Sequence, residues 1–204
     1  MDLVDIVSDL REEVPDCPAE FCENRFVRAA TDFLARTRVW RESAELIGAA
    51  ATNEYRPLLS SSQKPAEVLT VSYNGSSLKK ASRGQLARKS PSQGKPETFA
   101  AEQGNITVYP DPGEDVSENM EALLVLSVSR TMTSIPDEVY DQYGEVIRSG
   151  ALGRLMTMPN RPWSAYEVGR MHLSYYSEEV ERWQAKAPDD GNVGVARRVR
   201  YGGY

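Results

Sequence analysis

The stretch SIPDEVYDQYGEVIRSGALGRLMTMPNRPWSAYEVGRMHLSYYSEEVERW, residues 134–183, encodes two helices joined by a short proline-bounded turn. Val139, Tyr143, Val146, Ile147, Gly150, Ala151 and Leu155 recur at three- and four-residue spacing, while Asp137, Glu138, Asp141, Glu145 and Arg148 mark the other side. That is the pattern of a helix buried along one stripe. Gly150 and Ala151 within the stripe predict a close neighbour. Pro136 suits a first helical position, where its missing N–H costs nothing, and the Met158-Pro159-Asn160-Arg161-Pro162 run stops the helix. Ser164 followed by Glu167 has capping-box spacing for a second helix, which is expected to carry Val168, Met171, Tyr175, Val180 and Trp183 inward. Helices joined this tightly pack antiparallel.

A second helical pair is expected at the other end of the chain. Leu3, Ile6, Val7, Leu10 and Val14 predict a helix over residues 3–14, broken by Pro15 and Pro18. Cys22, Phe26, Ala29, Ala30, Phe33 and Leu34 predict another over residues 19–40. After Trp40 the helical period gives way to short β-like runs at 44–47, 67–73, 98–101, 106–109 and 123–128. Asn74-Gly75, Gly104-Asn105 and Asp111-Pro112-Gly113 mark chain reversals between them. The expected fold is therefore mainly α with a β insertion. Residues 1–42 and 131–187 form two helical hairpins of an antiparallel four-helix bundle, residues 43–130 a small antiparallel β subdomain, and residues 188–204 an extended C-terminal arm.

Three sets of residues in this order and spacing resemble the head–tail connector adaptor proteins of tailed bacteriophages. They are Ile135-Pro136-Asp137-Glu138 with Ser149-Gly150-Ala151-Leu152-Gly153-Arg154-Leu155 and Met158 to Trp163; Pro15-Asp16-Cys17-Pro18 with Phe33 to Glu42; and Ile106-Thr107-Val108-Tyr109-Pro110. The likeness spans roughly residues 10–187. It implies helical bundles carrying a β-rich insertion, assembled as a homo-oligomeric, dodecameric ring beneath the portal protein. It further implies a tail or nozzle protein as the next partner, genomic DNA passing through the channel, assembly in the host cytoplasm and a final place at the head–tail junction of the virion. The segment at 53–64 departs from the pattern, and the loop of the insertion is unusually basic.

Composition narrows the chemistry. The chain has 204 residues and a net charge of −6, which opposes a general nucleic-acid binder. No run of apolar residues approaches a membrane span, so no membrane association is expected. His172 is the sole histidine, which rules out histidine-based metal clusters and two-histidine mechanisms. No GxGxxG, GxxxxGK[ST] or GxSxG motif occurs. Neither an enzyme nor a cofactor or metal site is expected. Cys17 and Cys22 are too few for a disulfide framework, and reduced thiols in or near the core are the simpler reading.

Charge is unevenly spread. Lys79, Lys80, Arg83, Arg88, Lys89 and Lys95 fall in a segment free of acids, whereas Asp111, Glu114, Asp115 and Glu118 fall in one free of bases. The basic segment is open to three readings: a solvated mobile loop, a contact with an acidic surface on a neighbouring subunit, or a contact with DNA phosphates. The acidic segment is the natural subunit counterpart, because a ring repeats each complementary pair at every interface. In the arm, Val195, Arg197, Arg198, Arg200, Tyr201 and Tyr204 lie in a near-alternating pattern suited to strand addition. The resemblance makes the portal its partner, while terminal disorder is the plainer alternative. Trp163, at the tip of the hairpin, could meet a neighbouring subunit.

Overall fold

The computed structural model describes residues 1–48, 53–113 and 116–186. Within them lie five helices, α1 (Leu3–Glu13), α2 (Ala19–Thr37), α3 (Arg83–Ala87), α4 (Asp137–Met156) and α5 (Tyr166–Lys186). Eight strands accompany them: β1 (Arg41–Gly48), β2 (Glu54–Pro57), β3 (Gln63–Tyr73), β4 (Ser76–Ser77), β5 (Lys79–Lys80), β6 (Thr98–Glu102), β7 (Asn105–Tyr109) and β8 (Met120–Val128). Glu114 and Asp115 of the expected acidic interface, and Val195, Arg197, Arg198, Arg200, Tyr201 and Tyr204 of the expected portal-binding arm, lie outside the described residues.

The strands make one sheet in the order β4-β3-β8-β1-β2-β7-β6-β5. All pairings are antiparallel except β5 with β6. Its two ends, β4 and β5, are consecutive in the chain and separated only by Leu78. The Leu78 amide donates to the Val71 carbonyl of β3 at 2.7 Å, and the Lys79 amide donates to the Glu97 carbonyl at 2.8 Å. The sheet thus curls round on itself into a nearly closed barrel, and curling brings its edges together instead of leaving them open to other chains. Asn74 and Gly75, with φ of 48° and 73°, make the tight turn between β3 and β4.

These findings overturn the expectation of a mainly α protein built as a four-helix bundle with a small β subdomain. The architecture is mixed, with an eight-stranded, nearly closed barrel-like sheet joined to the helices where a small subdomain was expected. Two physical reasons account for the difference. First, β2, β4 and β5 are two to four residues long and too polar to show a strand period. Second, α2 does not pack on helices alone. It lies across β8, where Thr31 Oγ1 donates to the Val128 carbonyl at 3.4 Å. The strand is accordingly buried on both faces, with Leu124 and Leu126 on one and Val125 and Ser127 on the other. One apolar core runs without interruption from Ile6, Phe26 and Ile147 of the helices to Tyr55, Phe99 and Ile106 of the sheet.

Helix ends also differ in detail. α2 stops at Thr37, because Arg38 adopts a left-handed conformation with φ of 56°, and Trp40 is buried beside the start of β1. Ser164 forms no capping box. Its Oγ accepts from the Arg161 amide and donates to the Met158 carbonyl, which ties the turn before α5 instead of the helix start.

The α4 stripe is buried as its spacing predicts: Val139, Tyr143, Val146, Ile147, Gly150, Ala151 and Leu155 all lie inside. A β-carbon added at Gly150 would sit 2.5 Å from Cδ2 of the buried Tyr176, whereas Gly84 in α3 has nothing within 4 Å. Gly150→Ala should therefore cost about 1–3 kcal/mol through overpacking, while Gly84→Ala should be neutral or stabilise by up to about 1 kcal/mol. Urea unfolding of the two variants beside the parent chain measures the contrast.

Candidate interaction surfaces

A seam of small residues sets α5 against α4. Gly150 accommodates the Tyr176 ring, Gly153 accommodates Leu173, and Gly169 faces Thr157 and Met156. The pairing of 153 with 169 and 173, and of 150 with 176, shows the helices to be antiparallel. Close approach lets Tyr176 pass between them to α2. Its hydroxyl reaches Asp32 Oδ2 at 2.9 Å and the Ala29 carbonyl at 3.1 Å. Arg154 of α4 donates to the same Asp32 oxygen at 3.1 Å and stacks on the Tyr176 ring at 5.0 Å. Three helices are locked by this one polar node, and burial followed by the Asp32 contact pushes the Tyr176 hydroxyl well above its ordinary pKa.

Other polar and aromatic residues are tied internally. Ser149 Oγ and His172 Nδ1 are 2.9 Å apart. Ser149 is buried between α4 and α5, so this pair joins two helices and is closed to solvent on the serine side. Trp40 is buried and hydrogen-bonded to Glu42 at 3.0 Å, and Trp183 meets Tyr143 edge-on at 5.2 Å. Trp163 is half-buried against Phe21 at 5.9 Å, with the Arg161 guanidinium near both rings. Its ring contacts at the hairpin tip are thus made within the chain, while its buried Nε1 has no hydrogen-bond partner among the described residues. Cys17 and Cys22 are free and buried; burial, then the Cys22 contact, pushes the Cys17 thiol up to about 12. Among the described residues no three histidine, cysteine or carboxylate side chains converge to hold a metal, and no helix is long and apolar enough to cross a membrane.

The basic segment is folded onto the barrel. Ser82 and Gln85 form a reciprocal capping box at the start of α3, a signal that the sequence carried as Ser-x-x-Gln. Lys80 pairs with Glu67 at 3.5 Å and donates to the Val68 carbonyl at 2.9 Å. Arg83 pairs with Glu102 at 2.8 Å. Lys89 lies over the Tyr109 ring at 4.3 Å, and Lys95 stands 5.9 Å from the Tyr73 ring. Lys79 and Arg88 are exposed. Asp111 adjoins this same segment, since its backbone amide donates to the Ser92 carbonyl and its carbonyl accepts from Gly94. Glu118 is exposed in a short 3₁₀ turn before β8.

Two surfaces escaped the sequence reading. On α5 the expected inward stripe is only partly inward: Val180 is buried and Trp183 half-buried, but Val168, Met171 and Tyr175 are 45%, 73% and 42% exposed, with Tyr166 at 60%. Gly169 and Tyr176 take the inward positions instead. The contact of Gly153 with Gly169 and Leu173, which periodicity does not reveal, sets the phase. The second surface is a groove of about 610 Å³ between α2 and the barrel, lined by Arg28, Thr31, Asp32, Arg36, Lys64 and Arg130 among others. Arg36 has Asp32 at 3.8 Å, while Arg28, Lys64 and Arg130 have no carboxylate within ion-pair distance among the described residues.

Comparison of the chain with protein-family models and with curated proteins gives no match.

The Tyr176 node has a pH signature. A tyrosine whose folded pKa lies above its unfolded value adds stability that is fully present below about pH 10 and is lost as pH rises further. Tyr176→Phe should cost about 1–2 kcal/mol at neutral pH through the lost hydrogen bonds, and its stability should decline less steeply above pH 10 than that of the parent. Chemical denaturation across pH 7 to 11 checks both.

Proposed function

We propose that this chain is a structural head-to-tail adaptor of a tailed bacteriophage, forming a ring under the portal, joining it to the tail and continuing the DNA channel. One observation supports a partner-binding role most directly: the exposed apolar row Val168, Met171 and Tyr175 along one face of α5. Residues at such three- and four-residue intervals share a helical face, and grouped apolar side chains in water favour a partner surface. Each large apolar side chain fully buried contributes about 1.5–3 kcal/mol.

The row lies on a helix with little freedom to adjust. The small-residue seam and the Asp32 node hold α5 against α2 and α4, so the exposed face is presented in one orientation. The phage assignment itself comes from the ordered motif resemblance, whose hairpin portion coincides with α4 and α5. The arm at 188–204 follows α5 directly, and its alternating pattern suits strand addition to the portal.

The alternative, a DNA-binding accessory protein using residues 79–95, has less support. Lys80 and Arg83 are already paired with carboxylates and Lys89 is engaged by an aromatic ring, so about half of these six cations already interact within the chain and have less to gain from a duplex.

Mixing the full chain with its cognate portal and imaging the mixture by electron microscopy tests the proposal. A closed annulus stacked on the portal is expected; a portal that stays bare at micromolar concentrations overturns it. Met171→Glu, at an exposed position, should keep the fold and weaken portal capture at least tenfold. Deleting residues 189–204 should leave a folded chain that no longer binds the portal.

A further inference from the structure

We infer that the cationic groove between α2 and the barrel receives the acidic face of a second copy of this chain, so that one copy's α2 docks against the next copy's α4. The inference rests on the adaptor reading above and gives its ring a specific subunit contact.

The groove is cationic in a protein whose net charge is −6. Arg28 and Arg36 stand on α2, and Lys64 and Arg130 approach from the ends of β3 and β8. The carboxylates lining it are Glu23 and Asp32, and Asp32 is already engaged by Arg154 and Tyr176. Three cations with no ion-pair partner among the described residues therefore converge on one concave surface about 610 Å³ in volume.

A matching acidic surface exists elsewhere on the same chain. Glu138, Asp141 and Glu145 are exposed on α4. Asp9 of α1 adjoins the same surface, since its backbone carbonyl accepts from Arg148 of α4 at 3.5 Å. Of the cations beside this surface, Arg148 is paired with Glu13 at 2.8 Å, the amino terminus is paired with Asp137, and Arg41 adjoins Glu138 at the helix start. Spacing agrees as well as sign. Arg28 and Arg36 are about 12 Å apart along α2 and Glu138 and Glu145 about 10 Å apart along α4, at 1.5 Å rise per residue.

The two surfaces cannot meet within one molecule. α2 and α4 pack through Phe26 against Tyr140 and Phe33 against Tyr143. Arg28 lies on the side of α2 away from Phe26 and Phe33, and Glu138, Asp141 and Glu145 lie on the side of α4 away from Tyr143 and Ile147. A contact between different, oppositely directed patches is head-to-tail, and it repeats from copy to copy until it closes as a ring or continues as a filament. Nucleic acid fits the groove less well, because Glu23 would meet its phosphates and the acidic face would repel the rest of the strand.

Charge reversal provides the test. Arg28→Glu with Arg130→Glu reverses the groove, and Asp141→Lys with Glu145→Lys reverses the acidic face; all four positions are exposed, and circular dichroism confirms retention of the fold. Sedimentation analysis should show self-association weakened at least tenfold in each double variant and further weakened by salt in the parent. An equimolar mixture of the two variants should recover assembly, because each variant's groove then matches only the other's acidic face. Assemblies that survive both reversals undiminished overturn the inference and leave the adaptor reading standing. Parent protein that remains monomeric both alone and with the portal overturns the two together. Duplex DNA binding abolished by the groove reversal, with self-association unchanged, overturns the inference in favour of nucleic acid.

Discussion

Asp32 is where the helical half of this protein is held together. Its carboxylate receives the hydroxyl of Tyr176 and the guanidinium of Arg154, one group from each of two other helices. The arrangement requires α5 to approach α4 closely enough for the Tyr176 ring to lie on Gly150. A half-buried carboxylate with a charged donor and a neutral donor satisfies its hydrogen-bonding capacity at the point where desolvation would otherwise penalise it. Moving any of the three helices breaks more than one of these contacts, so the node and the glycine seam act as a unit.

The sheet imposes the second constraint. Closure at Leu78 leaves the barrel without a long free edge, and α2 lies on β8 so that helices and sheet share one core. The basic segment is part of that closure, with Lys79 and Lys80 forming β5. Its charges consequently spend much of their interaction on Glu67, Glu102 and Tyr109 of the same chain. Arg28, Lys64 and Arg130, which have no ion-pair partner among the described residues, lie instead in a groove assembled from α2, β3 and β8, whose members are up to about a hundred positions apart in the chain.

Helix identity was legible in the sequence because an apolar stripe must be covered. Leu3, Ile6, Val7 and Leu10, the Cys22 to Leu34 series and the Val139 to Leu155 series all face inward. The α5 stripe was assigned to the wrong phase for a physical reason. Its apolar residues occupy most of the circumference, so periodicity cannot say which side is covered. The strands around 44–47, 67–73, 98–101, 106–109 and 123–128 are legible as short runs of β-like composition, but their extent and the sheet they build are not. The groove left no sequence signal, since Arg28, Lys64 and Arg130 belong to three separate elements.

What the sequence by itself determined was local: the two helical hairpins, their proline breaks, the Asn74-Gly75 turn and the burial of α1, α2 and α4. Those follow from backbone sterics and from stripes that span only a few turns. Tertiary structure alone decided that the strands close into a barrel, that α2 packs on β8 as well as on α4, that α5 turns Met171 and Tyr175 to solvent, and that three unpaired cations share a groove. Each of these depends on which distant segments meet, and that choice is made by burying the whole apolar surface at once, so no single segment carries it.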